Sequence, residues 1–572
     1  MSLPLPNSRE VIEVANDLAN GRVQYFGSLD VKLGSCPNWF LNPYSGTEFA
    51  QTAAHWSELS DFDAEVGDIK TIWEPSRFAW CLNLVQATLV SGDASYVETA
   101  NTWIVDWLKA NPYNAGPNWM CGQETSIRLI HVVLADFLLR KHANGESELE
   151  EFVFQHCQRI KATRSYAIAQ NNNHVISEAA GLLIGGHWLV IHGKQQKRRG
   201  RKIRDMGMRM IETQVRKLVL SDGTFSQFST NYHRVFLDTL SMVEWWRSEF
   251  ELPDFSSEFY DKARQATRWL LGMIDNNSGD VPNIGANDGA YIYRLSSSGF
   301  RDYRPTAQLA ATLFLGKKAI EQAGPWDAPL AWLGVDELLE AVTFKRTSCH
   351  SVGGFAVLRH ADIDSFAVCR GASRSFRPSQ ADGLHCDIWW QGVNLARDAG
   401  TYSYASDDNV SAHYKGTAAH NTVQFDSRDQ MRTIGRFLFS DWLKCDSFDA
   451  SLLEGHSRWS AGYTDYKGCS HYRTVEEIDG GWKVIDRLNG PFDKATLRWR
   501  LTPEWEWDMD ANSVRSKNVS VLLESDVPFA SVQIEEGHES RYYLEETSLP
   551  VFAATVTTSG CEIISTFRAN DR

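Results

Sequence analysis

An asparagine-rich segment in the middle of the chain carries the first residues whose spacing suits catalysis. The run NNNHVISEA covers residues 171–179, where one helical pattern ends and the next begins. His174 and Glu178 are four residues apart, so on a helix the carboxylate would lie beside the imidazole and raise its pKa. This pairing would prepare a general base, although an asparagine cap over a hydrogen-bonded histidine accounts for the same residues.

A second polar segment, DGTFSQFSTNYHRVF at residues 222–236, leads into a predicted helix. Tyr232 stands near the start of that helix and is followed directly by His233 and Arg234. A nearby cation would lower the pKa of the phenol from about 10, which would prepare it to donate or accept a proton. A packed aromatic residue at a helix start is the alternative, and both interpretations stay open.

Trp119 belongs to a third segment, NWMCGQETSIRL at residues 118–129, which combines an aromatic ring with polar side chains. A sugar ring needs both features, because it stacks on a flat apolar face and forms directional hydrogen bonds. Gln123 and Glu124 follow in the same segment, and Arg234 offers a cation to an anionic substrate. These four residues are therefore candidates for substrate binding.

Several histidines and aspartates fall in or beside predicted strands of the second half, namely His385, Asp387, Asp398, His413 and His420. Strand alternation places His385 and Asp387 on the same face. Two imidazoles and a carboxylate, from His385, Asp398 and His420, suit Zn²⁺ or Mn²⁺. Their spacing matches no regular metal motif, and a structural hydrogen-bond network is the alternative.

The overall charge limits the kinds of partner. Lys+Arg number 57 and Asp+Glu number 72 among 572 residues, which gives a net charge of −15. An acidic surface repels nucleic acid and anionic lipid, so we expect neither nucleic-acid binding nor membrane insertion. The exception is the basic run KQQKRRGRK, residues 194–202, which is either a solvated helix end or an anion-steering patch. No nucleotide-binding motif is present, and we expect no organic cofactor.

The ten cysteines are scattered without a CxxC pair, which disfavours a redox pair, a zinc knuckle or a disulfide framework. The opening residues, MSLPLPNSREVIEV, contain no basic segment followed by an apolar one. We therefore expect a cytoplasmic location, or a periplasmic or secreted one if a signal segment has been removed. The sequence does not determine the oligomeric state.

The two halves of the chain follow different hydrophobic periods. From about residue 75 to 343, apolar residues recur at three and four positions, which predicts roughly ten helices joined in successive hairpins. From about residue 350, alternating runs predict antiparallel strands. The predicted fold is α+β and multidomain, with a helical domain at 1–345 and an antiparallel β-sandwich at 346–572.

One alternating run predicts a strand with two different faces. Its apolar residues are Leu497, Trp499 and Leu501, and its polar residues are Arg498, Arg500 and Thr502. Because successive side chains of a strand point to opposite sides, this pattern predicts one buried face and one solvent-exposed face.

Together these segments resemble the heparinase II/III-like polysaccharide lyases, a group that includes heparin/heparan, chondroitin and alginate lyases. The likeness extends over most of the chain, from GDIKTIWEPSRFAW at 67–80 through NNNHVISEA to DIWWQGVNLARDAGTYSY at 387–404. The resemblance implies an incomplete (α/α) toroid followed by an antiparallel β-sandwich, with the substrate cleft between them. It also implies an anionic polysaccharide as partner.

The reaction implied by the resemblance is β-elimination at a uronic acid. Such an enzyme must neutralise the substrate carboxylate, remove the C5 proton and protonate the departing C4 oxygen. Asn173 resembles the amide that binds the carboxylate, Tyr232 resembles the tyrosine that protonates the leaving group, and His174 resembles the neighbouring histidine. Tyr232 would be both base and acid if proton and leaving oxygen share a face; otherwise His174 would be the base.

Gln380 departs from the family pattern, because many relatives carry a histidine there that in some of them ligates a metal. We therefore expect one structural divalent ion, Zn²⁺ or Mn²⁺, held by His385, Asp398 and His420, or no ion.

Two other functions stay open. A glycoside hydrolase on the same toroid would use two carboxylates such as Glu124 and Asp222 on either side of the glycosidic bond. A catalytically silent glycan-binding protein is the third possibility, and formation of an unsaturated product separates the three.

Overall fold

The computed structural model describes residues 8–60, 65–142, 148–336, 338–343, 345–372 and 376–570. The chain forms two compact units. The helical unit comprises the residues up to 218 with 234–267 and 289–342, and the sheet unit comprises 219–233, 268–288 and the residues from 343 onward. Two short segments of the helical half therefore belong to the sheet unit. The domain boundary at residue 345 stays a prediction.

The helices follow the predicted spacing of apolar residues. In chain order they are α1 (Ser8–Ala19), α2 (Lys70–Ser76), α3 (Ala79–Ser91), α4 (Ser95–Ala110), α5 (Gly122–His142), α6 (Glu150–Gln170), α7 (Asn173–His192), α8 (Lys197–Leu218), α9 (Thr230–Glu249), α10 (Ser257–Met273), α11 (Arg304–Leu315), α12 (Ala328–Leu333) and α13 (Asp408–Lys415). Glycine ends three of them in the left-handed conformation, at Gly92 after α3 (φ 75°), Gly316 after α11 (φ 63°) and Gly334 after α12 (φ 71°). Glycine suits this position because it has no Cβ to oppose a positive φ.

Helix α7 is a core helix of the helical unit. It is long and apolar enough to cross a membrane by length and composition, but 83% of its most apolar stretch is buried inside the protein. Helix α8 packs closely on α7 because glycines line the contact: a Cβ at Gly207 would lie 2.3 Å from the backbone nitrogen of Leu183, and one at Gly200 would lie 2.8 Å from the carbonyl oxygen of Gly186. The two backbones therefore approach without intervening side chains.

The strands of the described sheet unit pair antiparallel in three larger sheets and one two-stranded hairpin. The first has the order β5 (Thr347–His350), β6 (Phe355–Arg359), β7 (Ser365–Arg370), β8 (Cys386–Trp390), β9 (Val393–Ala396). The second has the order β10 (Val423–Phe425), β17 (Ala495–Arg500), β22 (Thr547–Val556), β21 (Ser531–Glu539). The third has the order β13 (Cys445–Leu453), β14 (His456–Thr464), β15 (Ser470–Ile478), β16 (Gly481–Asn489), β23 (Cys561–Ala569), β20 (Val519–Ser525), β19 (Ser513–Arg515), β18 (Asp508–Asp510).

Short hairpins complete the strands. They are β1 (Arg22–Tyr25) with β2 (Leu29–Lys32), β3 (Leu41–Asn42) with β4 (Thr47–Glu48), and β11 (Arg432–Gly435) with β12 (Leu438–Ser440). The core of the sheet unit contains Trp459, Trp482 and Trp499, none of which is exposed. Fully buried indoles of this size contribute much of the apolar area that stabilises the unit.

The expected solvent-exposed face of strand β17 is wrong. Leu497, Trp499 and Leu501 are buried as predicted, but Arg500 is 1% exposed and Thr502 is fully buried. A buried guanidinium needs acceptors for its N–H groups, and Arg500 donates to the carbonyl oxygen of His538. Of the predicted polar residues only Arg498 is half-buried, so most of this face is covered, which the alternation of residue types does not reveal.

Candidate active site

The asparagine-rich segment forms the junction between α6 and α7. Asn171 takes the left-handed conformation after α6, with φ 52°. Asn172 caps α7, since its side-chain oxygen accepts a hydrogen bond of 3.0 Å from the backbone N–H of His174. Asparagine suits both positions because its short amide tolerates positive φ and caps free N–H groups. The cap holds Asn173 and His174 in the first turn of α7.

Helix α5 contributes the neighbours of this first turn. The Asn173 amide nitrogen donates to the side-chain oxygen of Gln123 at 2.9 Å. Nδ1 of His174 lies 3.9 Å from Sγ of Cys121, just before α5. Two segments that are about fifty residues apart in sequence thus meet. Asn173 is 2% exposed, so its amide is held in a defined orientation.

Glu178 lies one turn beyond His174 and is buried. Burial raises the pKa of its carboxyl group to about 8, against an opposing effect of His174. One of its oxygens, Oε2, has no hydrogen-bond partner within the described part of the chain. Glu178 packs against Gly122, where a Cβ would lie 2.5 Å from Oε1. A protonated carboxyl group at this position can donate a hydrogen bond, in contrast to the carboxylate expected from the sequence.

Tyr232 lies in the first turn of α9, within the sheet unit, and is 7% exposed. Its hydroxyl oxygen is 2.9 Å from the hydroxyl oxygen of Tyr404. Burial holds the pKa of Tyr232 well above its ordinary value, and the negative charge of Asp288 and the hydroxyl of Tyr404 act in the same direction. The expected lowering of this pKa by a nearby cation is therefore wrong, and Tyr232 keeps its proton at neutral pH.

Tyr404 is a functional candidate that was not evident from the sequence. Its backbone N–H donates to the hydroxyl of Tyr543 at 2.8 Å, and its carbonyl oxygen accepts from Arg436 at 3.0 Å. It is 172 residues from Tyr232 in sequence. The run TYSY contains it, but nothing in that run indicates which tyrosine faces Tyr232.

Trp119 is part of the core of the helical unit, which corrects its predicted role in sugar stacking. The residue is 1% exposed. Its indole N–H donates to the carbonyl oxygen of Asn111 at 3.2 Å, and the Arg128 guanidinium lies 5.3 Å from its ring centre. A sugar would need an open ring face, and neither face of this indole is open.

Arg234 is also buried and corrects the prediction that it binds substrate. It has no exposed surface. Its guanidinium donates to the carbonyl oxygens of Phe300 and Ala290 and lies 4.3 Å from the ring centre of Tyr303. These contacts tie α9 to the segment before α11. The sequence suggested a free cation because Arg234 follows polar residues, but on a helix adjacent residues point in different directions.

Glu124 forms a buried ion pair and is not open to a substrate. Its two oxygens accept from Nε and Nη2 of Arg77 at 2.6 and 2.8 Å. Arg77 also donates to Glu74 at 2.6 Å. Such two-point pairs are strong and geometrically specific. The predicted substrate contact of Glu124 is therefore corrected to a structural one, and that of Gln123 stays a prediction.

His385, Asp398 and His420 form a buried cluster in the sheet unit. Their candidate ligand atoms all lie within 4.8 Å of one another. His420 Nδ1 is 2.8 Å from Oδ2 of Asp398, and His385 Nε2 is 3.7 Å from the same oxygen. Although burial opposes both charges, the attraction between the two groups lowers the pKa of Asp398 and raises that of His420. Nε2 of His420 is buried without a partner among the described residues.

Asp387 and Asn421 orient the His385 imidazole. Oδ2 of Asp387 lies 3.2 Å from Nε2, as expected for two residues on one strand face, and the backbone N–H of Asn421 donates to Nδ1 at 3.0 Å. Since Nδ1 accepts this bond, the proton of neutral His385 lies on Nε2. A divalent ion would have to replace that proton. The donor set fits Zn²⁺ or Mn²⁺, and the hydrogen bonds also satisfy the cluster without an ion.

Comparison with known families shows which protein family the chain belongs to. The family profile described as heparinase II/III N-terminus matches residues 38–286, and the one described as heparinase II/III-like, C-terminal matches residues 350–565. The chain belongs to the heparinase II/III-like family. A heparin-sulfate lyase from Bacteroides stercoris is 21% identical to it over 460 residues, 73% of this chain and 62% of the relative. The chain thus spans less than two thirds of that relative's length.

Solved structures show which fold this heparinase II/III-like chain has. A structure titled heparinase III is similar with a TM-score of 0.69 at 16% identity, covering 99% of this chain and 85% of that one. The chondroitin AC lyase of Streptomyces coelicolor is similar with a TM-score of 0.59 at 12% identity, covering 99% of this chain and 80% of that one. The predicted (α/α) toroid followed by an antiparallel β-sandwich is confirmed.

Proposed function

We propose that this protein is a polysaccharide lyase that cleaves a uronic-acid-containing anionic polysaccharide by β-elimination. The heparin-sulfate lyase from Bacteroides stercoris and the chondroitin AC lyase fold support a glycosaminoglycan as the substrate class. The C4–O bond to the leaving sugar breaks, the C5 proton departs, and a C4–C5 double bond forms. The three tasks are to neutralise the carboxylate, remove the C5 proton and protonate the C4 oxygen.

The contact between the hydroxyls of Tyr232 and Tyr404, which lie 2.9 Å apart, is the observation that carries this proposal. A phenol whose pKa lies well above 10 does not ionise at neutral pH, so it can give a proton to a departing oxygen that becomes strongly basic as the bond breaks. The hydroxyl of Tyr404, 2.9 Å away, holds the Tyr232 hydroxyl in place and can return a proton to it. Tyr232 is therefore the proposed general acid. Tyr232 could also act as the base only if its hydroxyl ionised, and its buried surroundings oppose ionisation.

His174 and Asn173 take the other two tasks in the proposed mechanism. His174 is the proposed base for the C5 proton. Asn173 donates an amide hydrogen bond to the substrate carboxylate, whose negative charge grows in the enolate-like transition state. In the free protein that amide donates to Gln123, which sets its orientation. The neutral carboxyl group of Glu178 lowers the negative charge near the site, which favours an anionic substrate.

A divalent ion at His385, Asp398 and His420 would have a structural role. The ion would take the place of the hydrogen bonds within the cluster. It would then link His385, just before β8, to Asp398, shortly after β9. Tyr232, His174 and Asn173 cover the steps of the reaction, so the proposal assigns no step to the ion. Zn²⁺ or Mn²⁺ suits the two imidazoles and the carboxylate.

One assay tests the proposed function. Purified protein is incubated separately with heparan sulfate, chondroitin sulfate, hyaluronan and alginate, and the ultraviolet absorbance of unsaturated uronate is followed. Rising absorbance with one of these polymers supports the lyase. New reducing ends without absorbance would instead indicate a hydrolase, and binding without either product would indicate a glycan-binding protein. The buried ion pair between Arg77 and Glu124 argues against Glu124 as the general acid of a glycoside hydrolase.

A further inference from the structure

The basic run of the sequence forms the first turns of α8 and is exposed. Arg198, Arg201, Lys202 and Arg209 are all exposed. They are three, four and eleven residues apart along one helix, so they share a face that extends about 16 Å. We call these four residues the α8 basic face. It lies within the helical unit of a chain whose net charge is −15.

The cations of the α8 basic face have no ion-pair partners within the described part of the chain. Other cations of the same helix do: Arg204 pairs with Asp205 at 2.8 Å, and Arg216 pairs with Glu258 at 2.6 Å. The carboxylate of Asp205 is therefore already occupied by Arg204. Four unpaired cations in a strongly acidic protein leave a local positive potential that attracts anions.

The position of these cations is unfavourable for the helix itself. Positive charges near a helix N-terminus oppose its macrodipole, and like charges three or four residues apart repel one another. Lys197 and Arg199 add two further exposed cations to the same first turns. The local sequence is therefore unfavourable for helix stability at this site, and such local conflicts are common at functional sites.

The α8 basic face is also held on a rigid support. Gly186, Gly200 and Gly207 bring the backbones of α7 and α8 into direct contact, and α7 is buried over most of its length. The Glu150 carboxylate accepts hydrogen bonds from the backbone N–H groups of Gln195 and Gln196 at 2.8 and 2.7 Å, which anchors the turn before α8. A preorganised row of cations loses little entropy when it binds a polyanion.

We propose that the α8 basic face binds an anionic polysaccharide chain outside the residues assigned to catalysis. This inference rests on the proposed function, which supplies the occupant: a linear polymer with repeated carboxylate or sulfate groups. Guanidinium groups bind such oxyanions at two points, and three of the four residues are arginines. A long substrate bound here stays near the enzyme between cleavages, whereas a short oligosaccharide gains nothing from the surface.

The test compares two triple variants with equal changes in net charge. The first is Arg198→Glu, Arg201→Glu, Lys202→Glu. The control is Lys32→Glu, Lys109→Glu, Lys517→Glu, at three exposed lysines that are not part of α8. Affinities for immobilised heparan sulfate and for a thymidine oligonucleotide are measured over a range of NaCl concentrations. Turnover is measured on the polymer and on a heparan sulfate tetrasaccharide.

We expect the α8 variant to bind the polymer at least about ten-fold more weakly. The slope of log affinity against log salt should fall by about three, one for each cation lost. Turnover of the tetrasaccharide should be unchanged, and the melting temperature should not fall, because glutamate near a helix N-terminus is favourable. The control variant should keep most of its affinity.

Three results would overturn the proposal. Equal losses in both triple variants would mean that net charge alone governs binding. Unchanged affinity in the α8 variant would mean that the polymer binds elsewhere. Loss of affinity for a thymidine oligonucleotide but not for heparan sulfate would assign the surface to nucleic acid. Binding is measured directly, so these outcomes can be distinguished even if no unsaturated product forms. The absence of an unsaturated product would contradict only the proposed function.

Discussion

The hydroxyl of Tyr232 carries the clearest prediction for a single residue. Tyr232→Phe removes the proposed acid but keeps a ring that is almost fully buried. We expect kcat to fall about 10²- to 10⁴-fold, with little change in substrate affinity or melting temperature. Tyr404→Phe is the matched control, since it removes the partner hydroxyl 2.9 Å away but leaves the donor itself, and a smaller loss is expected. Near-normal turnover by Tyr232→Phe would remove this residue from the mechanism.

Substitution of Asn173 tests the proposed hydrogen bond to the substrate carboxylate. The proposed hydrogen bond strengthens as charge moves onto the carboxylate, so Asn173→Ala should lower kcat more than it raises KM. Gln123→Ala serves as control, because it removes the acceptor that orients the amide at 2.9 Å without removing the amide. Steady-state kinetics of both variants give the changes in kcat and in KM separately. A change confined to KM in Asn173→Ala would make it a binding residue only.

Glu178 makes stability depend on pH. Its pKa of about 8 in the folded protein exceeds the ordinary value of 4.5, so the folded state holds a proton that the unfolded state releases. Its favourable contribution is therefore complete below about pH 4.5 and is lost as pH rises toward 8, by up to about 1.4 kcal/mol per pH unit. Glu178→Gln should flatten the fall in melting temperature across this range. The exposed Glu98→Gln should not, and an unchanged slope in Glu178→Gln would contradict this account.

The packing of α7 on α8 depends on glycine. A Cβ at Gly207 would lie 2.3 Å from the backbone nitrogen of Leu183 and 2.7 Å from the carbonyl oxygen of Ala179, so the helices would have to separate. We expect Gly207→Ala to lower the free energy of unfolding by about 1 to 3 kcal/mol in chemical denaturation. Gly272→Ala in α10 is the control, because its nearest neighbour is Val357 Cγ2 at 3.8 Å. There alanine should stabilise the helix by about 0.5 to 1 kcal/mol.

The cluster of His385, Asp398 and His420 connects metal content with the stability of the whole protein. We expect one divalent ion per chain or none in protein purified without added metal, as measured by elemental analysis. If an ion is present, a chelator should lower the melting temperature before it lowers the initial rate, because the cluster is buried and assigned no catalytic step. Immediate loss of activity with an intact fold would mean that the ion neutralises the substrate carboxylate, and the role of Asn173 would then be wrong.

Local patterns were sufficient to predict most of the helices before residue 343 and most of the strands after residue 350, but not α13 or the hairpins before residue 75. Helical and strand periods depend on neighbouring residues, so α5 to α9 and the strands after residue 345 follow directly from them. The asparagine run predicted a helix junction, because asparagine caps helices and tolerates positive φ at that point. The set of motifs also sufficed to identify the family, since each motif combines residue types at short, fixed separations.

Burial and long-range pairing had to come from the three-dimensional fold. Trp119 and Arg234 are residue types that often bind substrates, yet neighbours distant in sequence, such as His156 and Ala290, bury them. Arg77 neutralises Glu124 from 47 residues away, and Tyr404 meets Tyr232 from 172 residues away. A residue's type fixes which hydrogen bonds and charges it can offer, but its accessibility and its pKa depend on which distant groups the folded chain brings against it.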